Sequence, residues 1–290
     1  DKYMKKTLRM GDLLELDAPS VQHRLKVIID SKNLVLENVY NQEPLSYDEI
    51  MEWCRSQAEF FKDYICDVGT LLGAAAGQGK NILFEAQLGA LRDIDYGIYP
   101  FTSSSNTIAS YAPIGAGIPG CALDNVVGVM KAYSTCVGEG PFVAETAMGE
   151  AWNEKLRESG GEFGAATGRP RRVGPFDAVA SRYGIRCQKA QDIALTKLDV
   201  LGAFDKIPVI TGYRLHGVLL DSFPTDSRLE EAEPVIEELP GWECDISGCR
   251  SWKDLPENAR KYVCTLEKLV DHPIYLVSTG AERDAYLLRE

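Results

Sequence analysis

The stretch DIALTKLD, residues 192–199, decides the architecture. Ile193, Ala194 and Leu195 form a short continuous apolar run that ends in a charged tail. A strand covered on both faces reads this way, whereas a half-buried antiparallel strand alternates. NILFEA (81–86), NVVGVMKAYS (125–134) and PIYLVSTG (273–280) have the same character, and a helical pattern, ENARKYVCTLEKLV, precedes the last of them. KIPVITGYRLHGVLLDSF (206–223) predicts strands around a turn at His216-Gly217. In LSYDEIMEWCRSQAEFFKDYICDVGTLLGAA (45–75), Ser46-x-x-Glu49 forms a capping box. Ile50, Cys54, Phe61, Ile65, Val68 and Leu72 then recur at helical spacing, which predicts one long amphipathic helix packed on a sheet. Buried strands alternating with helices predict an α/β fold with a mostly parallel central sheet flanked by helices. No repeat or low-complexity linker interrupts the 290 residues, so a single domain over 1–290 is expected.

Composition narrows the partners. Hydrophobic residues make up 45% and charged residues 26%, an ordinary globular balance. A net charge of −12 argues against a nucleic-acid backbone or an anionic membrane as the main partner. No apolar run reaches the ~18 residues of a membrane span. DKYMKKTLRMGD, at the start, has no apolar signal-peptide core and opens without an initiator Met, as if cut from something longer. The eight cysteines include no CxxC, and only three His accompany them, so zinc-ligand spacing is absent. Dispersed cysteines of this kind read as reduced, mostly buried thiols of a cytoplasmic protein.

Five segments invite a ligand reading. Lys197 and Asp199, two apart after an apolar run, match the pattern with which many GTP-binding proteins read guanine; an Asp capping a helix that starts near Val200 is the alternative. GAAAGQGKN (73–81) ends in Gly-Lys but fails as a phosphate loop. It has one residue too many, has Asn81 after Lys80, and follows a helix instead of a strand, so a helix C-cap and turn is expected. GAGIPG (115–120) follows a poor strand and reads as a tightly bent loop. In YPFTSSSNT (99–107), Ser103, Ser104, Ser105 and Asn106 cluster donors suited to a phosphate monoester, or form a solvated turn. TGRPRRVG (167–174) places Thr167, Arg169, Arg171 and Arg172 around a stiff Gly-x-Pro bend that could grip a carboxylate, or could be a solvated basic loop.

Six separated blocks, DIDYGIYPFTSSSNT, KAYSTCVGEGPFVAE, GRPRRVGPFDAVA, LTKLDVLGAF, PGWECDI and VSTGAER, resemble in order and spacing the signature blocks of adenylosuccinate synthetase. The resemblance covers about residues 1–290 and implies the P-loop-NTPase-like α/β fold of that family, present incompletely. It implies a homodimeric ligase of AMP biosynthesis that joins L-aspartate to IMP, using GTP as a substrate and Mg²⁺ as cofactor. Lys197, Asp199, Ser278 and Gly280 correspond to the guanine contacts. Thr167, Arg169 and Arg171 correspond to the aspartate loop, with Arg169 also toward ribose. The IMP positions are Lys5, acting across the dimer, with Gln87, Leu88, Ser103, Val137 and Arg169.

The family's glycine-rich phosphate loop, general base and catalytic His precede anything that matches this chain. The resemblance therefore places no catalytic and no metal-ligating residue in it, and predicts no turnover from the chain alone. Three departures stand out. FEAQLGALRD (84–93) replaces the usual FEGAQGxxLD, which puts Leu88 at the position of the glutamine and Gln87 one place early. Lys5 stands for an Arg, and Cys136 replaces the Arg of YSTRVG. A relative acting on another purine monophosphate such as dGMP, or a non-catalytic guanine-nucleotide-binding module, are the competing readings.

Overall fold

In the computed structural model, which describes residues 2–86, 88–165 and 167–289, the chain falls into two units, Asp1–Ile82 and Leu83–Glu290. The single domain expected over 1–290 is thus seen as a helical unit followed by an α/β unit.

In the first unit, a 3-10 turn (Met10–Glu15) leads to α1 (Pro19–Asn38), with Pro at the helix start, where its missing N–H is harmless. Val21, Leu25 and Ile29 recur every fourth residue, so one face of α1 is apolar and buried. α2 (Tyr47–Phe61) buries Met51 and Cys54 in the same cluster, and Ser46 caps it by accepting from the Glu49 amide at 3.4 Å. The long helix expected over 46–75 is broken. A 3-10 turn (Lys62–Tyr64) and an extended Ile65 follow α2, and α3 (Val68–Gly77) starts anew. Asp67 causes the restart: its carboxylate accepts from the Thr70 amide at 3.1 Å and the Thr70 hydroxyl at 2.7 Å, a cap incompatible with a continuous helix. No strand occurs among the described residues of this unit, and α1 and α2 bury their apolar faces in one shared cluster. The strand expected at 81–86 is absent as well. Leu83 is 93% exposed, and an apolar run without a neighbouring strand has no ladder to join.

The second unit begins with a short α4 (Ala112–Gly115), then β1 (Val127–Lys131), β2 (Ser134–Cys136), α5 (Val143–Thr146) and α6 (Glu150–Gly160). It continues through β3 (Arg172–Gly174), β4 (Phe176–Asp177), α7 (Ala178–Gln188), β5 (Asp192–Thr196), β6 (Lys206–Leu215), β7 (Val218–Leu219), β8 (Glu233–Pro240), α8 (Glu257–Val270), β9 (Ile274–Ser278) and β10 (Tyr286–Leu288). The central sheet has the order β1-β5-β9-β10, with the first three parallel and β10 antiparallel at its edge. Ile193, Ala194 and Leu195 of β5 are all buried, as an apolar run covered on both faces requires. The main core gathers Ile193 and Leu195 with Leu156 of α6, Tyr262, Val263 and Leu266 of α8, and Val277 of β9. Of the eight cysteines Cys54 alone is buried, so the thiols are not mostly buried as expected.

A second sheet joins β4 in parallel to β6, which pairs antiparallel with β7 and β8. The β6–β7 turn falls at His216-Gly217, as expected. His216 at φ 49° and Gly217 at φ 81° have the two positive angles that a tight two-residue hairpin demands. β2 and β3 form a separate antiparallel pair. Because β1, β5 and β9 run in one direction, their carboxyl ends at Lys131, Thr196 and Ser278 lie along one edge of the sheet. Ligands of open α/β sheets bind at this edge.

One buried acid supports the junction of β4 and α7. Asp177 caps α7 by accepting from the Ala180 amide at 3.0 Å, and it also accepts from the Tyr213 hydroxyl. Burial pushes its carboxyl up to about 6, with the hydrogen bonds pulling the other way. A carboxyl whose pKa is raised by folding stabilises the native state below its unfolded value, and that contribution is lost as pH rises through the folded value. Between pH 4 and 7 this group is expected to remove about 3 kcal/mol of stability. Asp177→Asn should flatten that part of the profile, as measured by urea midpoints of both proteins over the same pH range.

Candidate functional site at the carboxyl edge of the parallel sheet

Lys197 leaves β5 in the left-handed region, at φ 64°, which turns the chain sharply out of the sheet. Its Nζ donates at 2.8 Å to the carbonyl of Gly160, the last residue of α6, where the helix dipole favours a cation. Asp199 opens a 3-10 turn (Asp199–Ala203) whose cap position is Leu198, and no side chain caps it. The capping alternative for Asp199 is therefore overturned, and its half-exposed carboxylate is not used to hold the turn. β9 lies beside β5, with Val277 opposite Leu195. At its exit the Ser278 hydroxyl donates to the Gly280 carbonyl at 2.9 Å. Lys197, Asp199, Ser278 and Gly280 thus leave the ends of two adjacent parallel strands.

A buried carboxylate lies beside them. α6 stops at Gly161 in the left-handed conformation, and Glu162 follows with only 1% of its surface exposed. Three groups donate to this carboxylate: Lys131 Nζ, from the exit of β1, at 2.7 Å, the Tyr133 hydroxyl at 2.6 Å and Arg171 Nη1 at 2.9 Å. Burial alone would raise the Glu162 carboxyl, but Lys131, Tyr133 and Arg171 outweigh it and hold it below the ordinary carboxylate range. Burial, with Arg171 and Lys197 alongside, draws the Lys131 ammonium below its usual value against the pull of Glu162. Burial and the Glu162 carboxylate hold the Tyr133 phenol well above its usual value, so it remains a donor. Gly160 is required here: a Cβ at that position would meet the Tyr133 hydroxyl at 2.5 Å. Gly160→Ala should therefore disturb the Tyr133–Glu162 bond, lowering the melting temperature in a calorimetric scan by several degrees, the response expected for about 1–2 kcal/mol.

Arg171 ends the loop that carries Thr167 and Arg169. The loop closes on itself through Gly164 N–H to the Arg169 carbonyl at 2.8 Å and Gly168 N–H to the Gly164 carbonyl at 2.8 Å. Gly168 at φ 64° allows that bend. Thr167 and Arg169 are exposed, and the Arg169 side chain makes no ion pair or hydrogen bond among the described residues. Arg172 is different. It grips Glu145 through Nε at 2.8 Å and Nη2 at 2.6 Å and donates to the Gly140 carbonyl at 2.8 Å, so it anchors β3.

The serine-rich segment is folded around Asp93, which is fully buried and accepts from the amides of Asp95 (2.9 Å), Tyr96 (3.0 Å) and Thr107 (2.5 Å). These bonds overcome burial and keep its carboxyl below the ordinary range. Ser103 Oγ accepts from the Ser105 amide at 3.1 Å, forming a compact turn. Leu88 is exposed in the left-handed region at φ 76°, and Val137 is 70% exposed. Gln87 lies outside the described residues, and Lys5 belongs to the first unit. GAAAGQGKN is the end of α3 and its turn, with the Gln78 amide closing onto Ala74, as expected. GAGIPG is a bend after α4, with Gly117 at φ 82°.

Sequence reasoning missed Glu162, Lys131, Tyr133 and Asp93. For the first three, the available signal was a Lys-x-Tyr at a strand exit and a Glu directly after a double-glycine helix stop. Among the described residues no group of three or more His, Cys, Asp or Glu side chains could hold a metal ion.

Loops from several parallel strand ends converging on one edge define an α/β protein with a ligand-binding carboxyl edge. The family model described as adenylosuccinate synthetase matches residues 1–287, and the chain belongs to that family. The adenylosuccinate synthetase of Trichlorobacter lovleyi is 45% identical over 99% of this chain and 66% of its own length. That of Pelobacter propionicus is 44% identical over the same shares. The solved structure of fully ligated adenylosuccinate synthetase from Plasmodium falciparum superposes with a TM-score of 0.90 at 32% identity, covering all of this chain and 68% of that one. The chain thus spans about two thirds of the length of the proteins it matches.

Proposed function

We propose that the chain carries the guanine, L-aspartate and part of the IMP subsites of a cytoplasmic GTP-dependent ligase that forms adenylosuccinate. In that reaction GTP phosphorylates the 6-oxygen of IMP, and the aspartate amine then displaces the phosphate. The observation that carries the proposal is the Glu162 node, which ties Arg171 to the strand exits where Lys197 and Asp199 emerge. Asp199 accepts from the guanine N1–H and 2-amino group, Lys197 covers the ring, and Ser278 and Gly280 close the pocket from β9. Glu162 occupies only one terminal nitrogen of Arg171, which leaves the rest of that guanidinium, with Arg169 and Thr167, for the aspartate carboxylates. Ser103, Val137 and Leu88 face the IMP side, and Lys5 serves the phosphate in a second copy's site within a homodimer. Mg²⁺ would shield phosphate charge, and no step is assigned to it here.

Titration of GTP, ATP and IMP into the 290-residue protein tests the proposal. GTP should bind at least ten times more tightly than ATP, because adenine offers no donor to Asp199 and leaves its charge unpaired. Equal affinities would overturn it. In a chain completed to the length of the relatives it matches, Arg171→Ala should raise KM for aspartate by about 30-fold or more while that for GTP stays within a few-fold, given roughly 2–5 kcal/mol for a lost charge pair. Arg172→Ala should chiefly lower the melting temperature, since Arg172 already faces Glu145. A rise in both KM values together would reduce the arginine loop to a structural one.

A further inference from the structure

Arg92 joins two turns that no sequence motif connects. Its Nη1 donates to the carbonyls of Phe101 and, at 3.0 Å, Glu139. Its Nη2 donates to the Val137 carbonyl at 2.8 Å and to Cys136 Sγ at 2.8 Å. Its own carbonyl accepts from the Ser103 amide at 2.8 Å. One half-buried residue therefore sets the spacing between the Ser103 turn and the Val137 turn. Only a planar guanidinium with donors along several edges can serve four acceptors in this way; an ammonium cannot span them. Arg92 makes no ion pair among the described residues, so its hydrogen bonds run to backbone carbonyls and a thiol and not to a carboxylate. Such bonds fix loop geometry more than they neutralise charge.

We infer that Arg92 is a positioning residue for the acceptor-nucleotide subsite, holding Ser103 at the phosphate end and Val137 at the ribose end at a fixed separation. The inference rests on the proposed assignment of those two residues to IMP. It differs from a general structural role in one respect: it predicts damage confined to one ligand. Arg92 is remote in sequence from Lys197, Asp199 and Ser278, and none of its hydrogen bonds reaches their loops.

The test is calorimetric titration of IMP and of GTP into the wild-type protein, Arg92→Met and Arg92→Lys, with a melting curve for each. Arg92→Met keeps the apolar stem and removes every donor. IMP affinity should fall roughly 30-fold in Arg92→Met, the loss expected when one or two charge-assisted hydrogen bonds no longer hold a site in place. GTP affinity should stay within about two-fold, Arg92→Lys should recover little, and added methylguanidine should restore part of the IMP binding. Arg92→Met binding IMP like wild type, or losing IMP and GTP equally with no methylguanidine rescue, would overturn the inference while leaving the acceptor assignment standing. A wild-type protein that binds GTP but no IMP would overturn the acceptor assignment itself, and the inference with it.

Discussion

Replacing Asp199 with asparagine is expected to turn a GTP site into one that accepts XTP. The carboxylate emerges from β5 without capping the turn it opens, so both oxygens remain for a ligand. Guanine presents two donors on one edge, N1–H and the 2-amino group, and hydrogen bonds to a charged acceptor contribute about 1.5–3 kcal/mol each. Asparagine offers one acceptor and one donor. It should weaken GTP about 100-fold or more while donating to the 2-oxygen of xanthine. Lys197→Ala should weaken both nucleotides alike, because an ammonium stem packed over a ring does not read its edge. Competition binding of GTP, XTP and ATP to the two variants measures this. An asparagine variant that keeps the GTP-over-XTP preference of the parent would remove Asp199 from base recognition.

Glu162→Ala should be the most destabilising single change in the α/β unit. It leaves Lys131 and Arg171 facing each other without their shared counter-charge and the Tyr133 hydroxyl without its acceptor. Removing one partner of a buried ionic group costs about 3–5 kcal/mol. Glu162→Gln keeps an acceptor and should lose less. Because folding depresses the Glu162 carboxyl, its stabilisation is complete above the ordinary glutamate range and is lost as pH falls through the folded value. Asp177 has the opposite slope, so the double variant Glu162→Gln/Asp177→Asn should show a flatter acid limb than the parent in urea titrations. A Glu162→Ala loss below about 1 kcal/mol would mean that the node carries little of the fold.

The parallel sheet was legible because β5 and β9 are apolar on both faces, a pattern that few other structures produce. The helix over 46–75 was misjudged because periodicity ran on through Ile65 and Val68, while the deciding event, the capping of a new helix by Asp67, is local chemistry that periodicity does not register. NILFEA misled for the reverse reason: an apolar run becomes a strand only where another strand stands beside it. Lys197, Asp199, Thr167 and Arg171 were singled out because each sits in a short contiguous pattern. Glu162, Lys131 and Arg92 were not, since their meaning lies in partners 31, 44 and 47 positions away. Val137 was located only through the family resemblance, and the clamp between it and Ser103 was invisible in one dimension.

The meeting of Lys131, Tyr133 and Arg171 on Glu162 has an evolutionary consequence. Selection sees these four positions as one character. A lineage that loses the acid while keeping both cations would carry unbalanced positive charge in its interior, and one that loses a cation would leave Glu162 with a weaker partner set. Change should therefore arrive as a block, across segments that look unrelated on the page. Relatives of this chain that replace Glu162 are expected to replace Lys131 as well, and an alignment deep enough to follow paired substitutions should show the two positions drifting together while Thr167 and Arg169, one short loop away, vary on their own schedule.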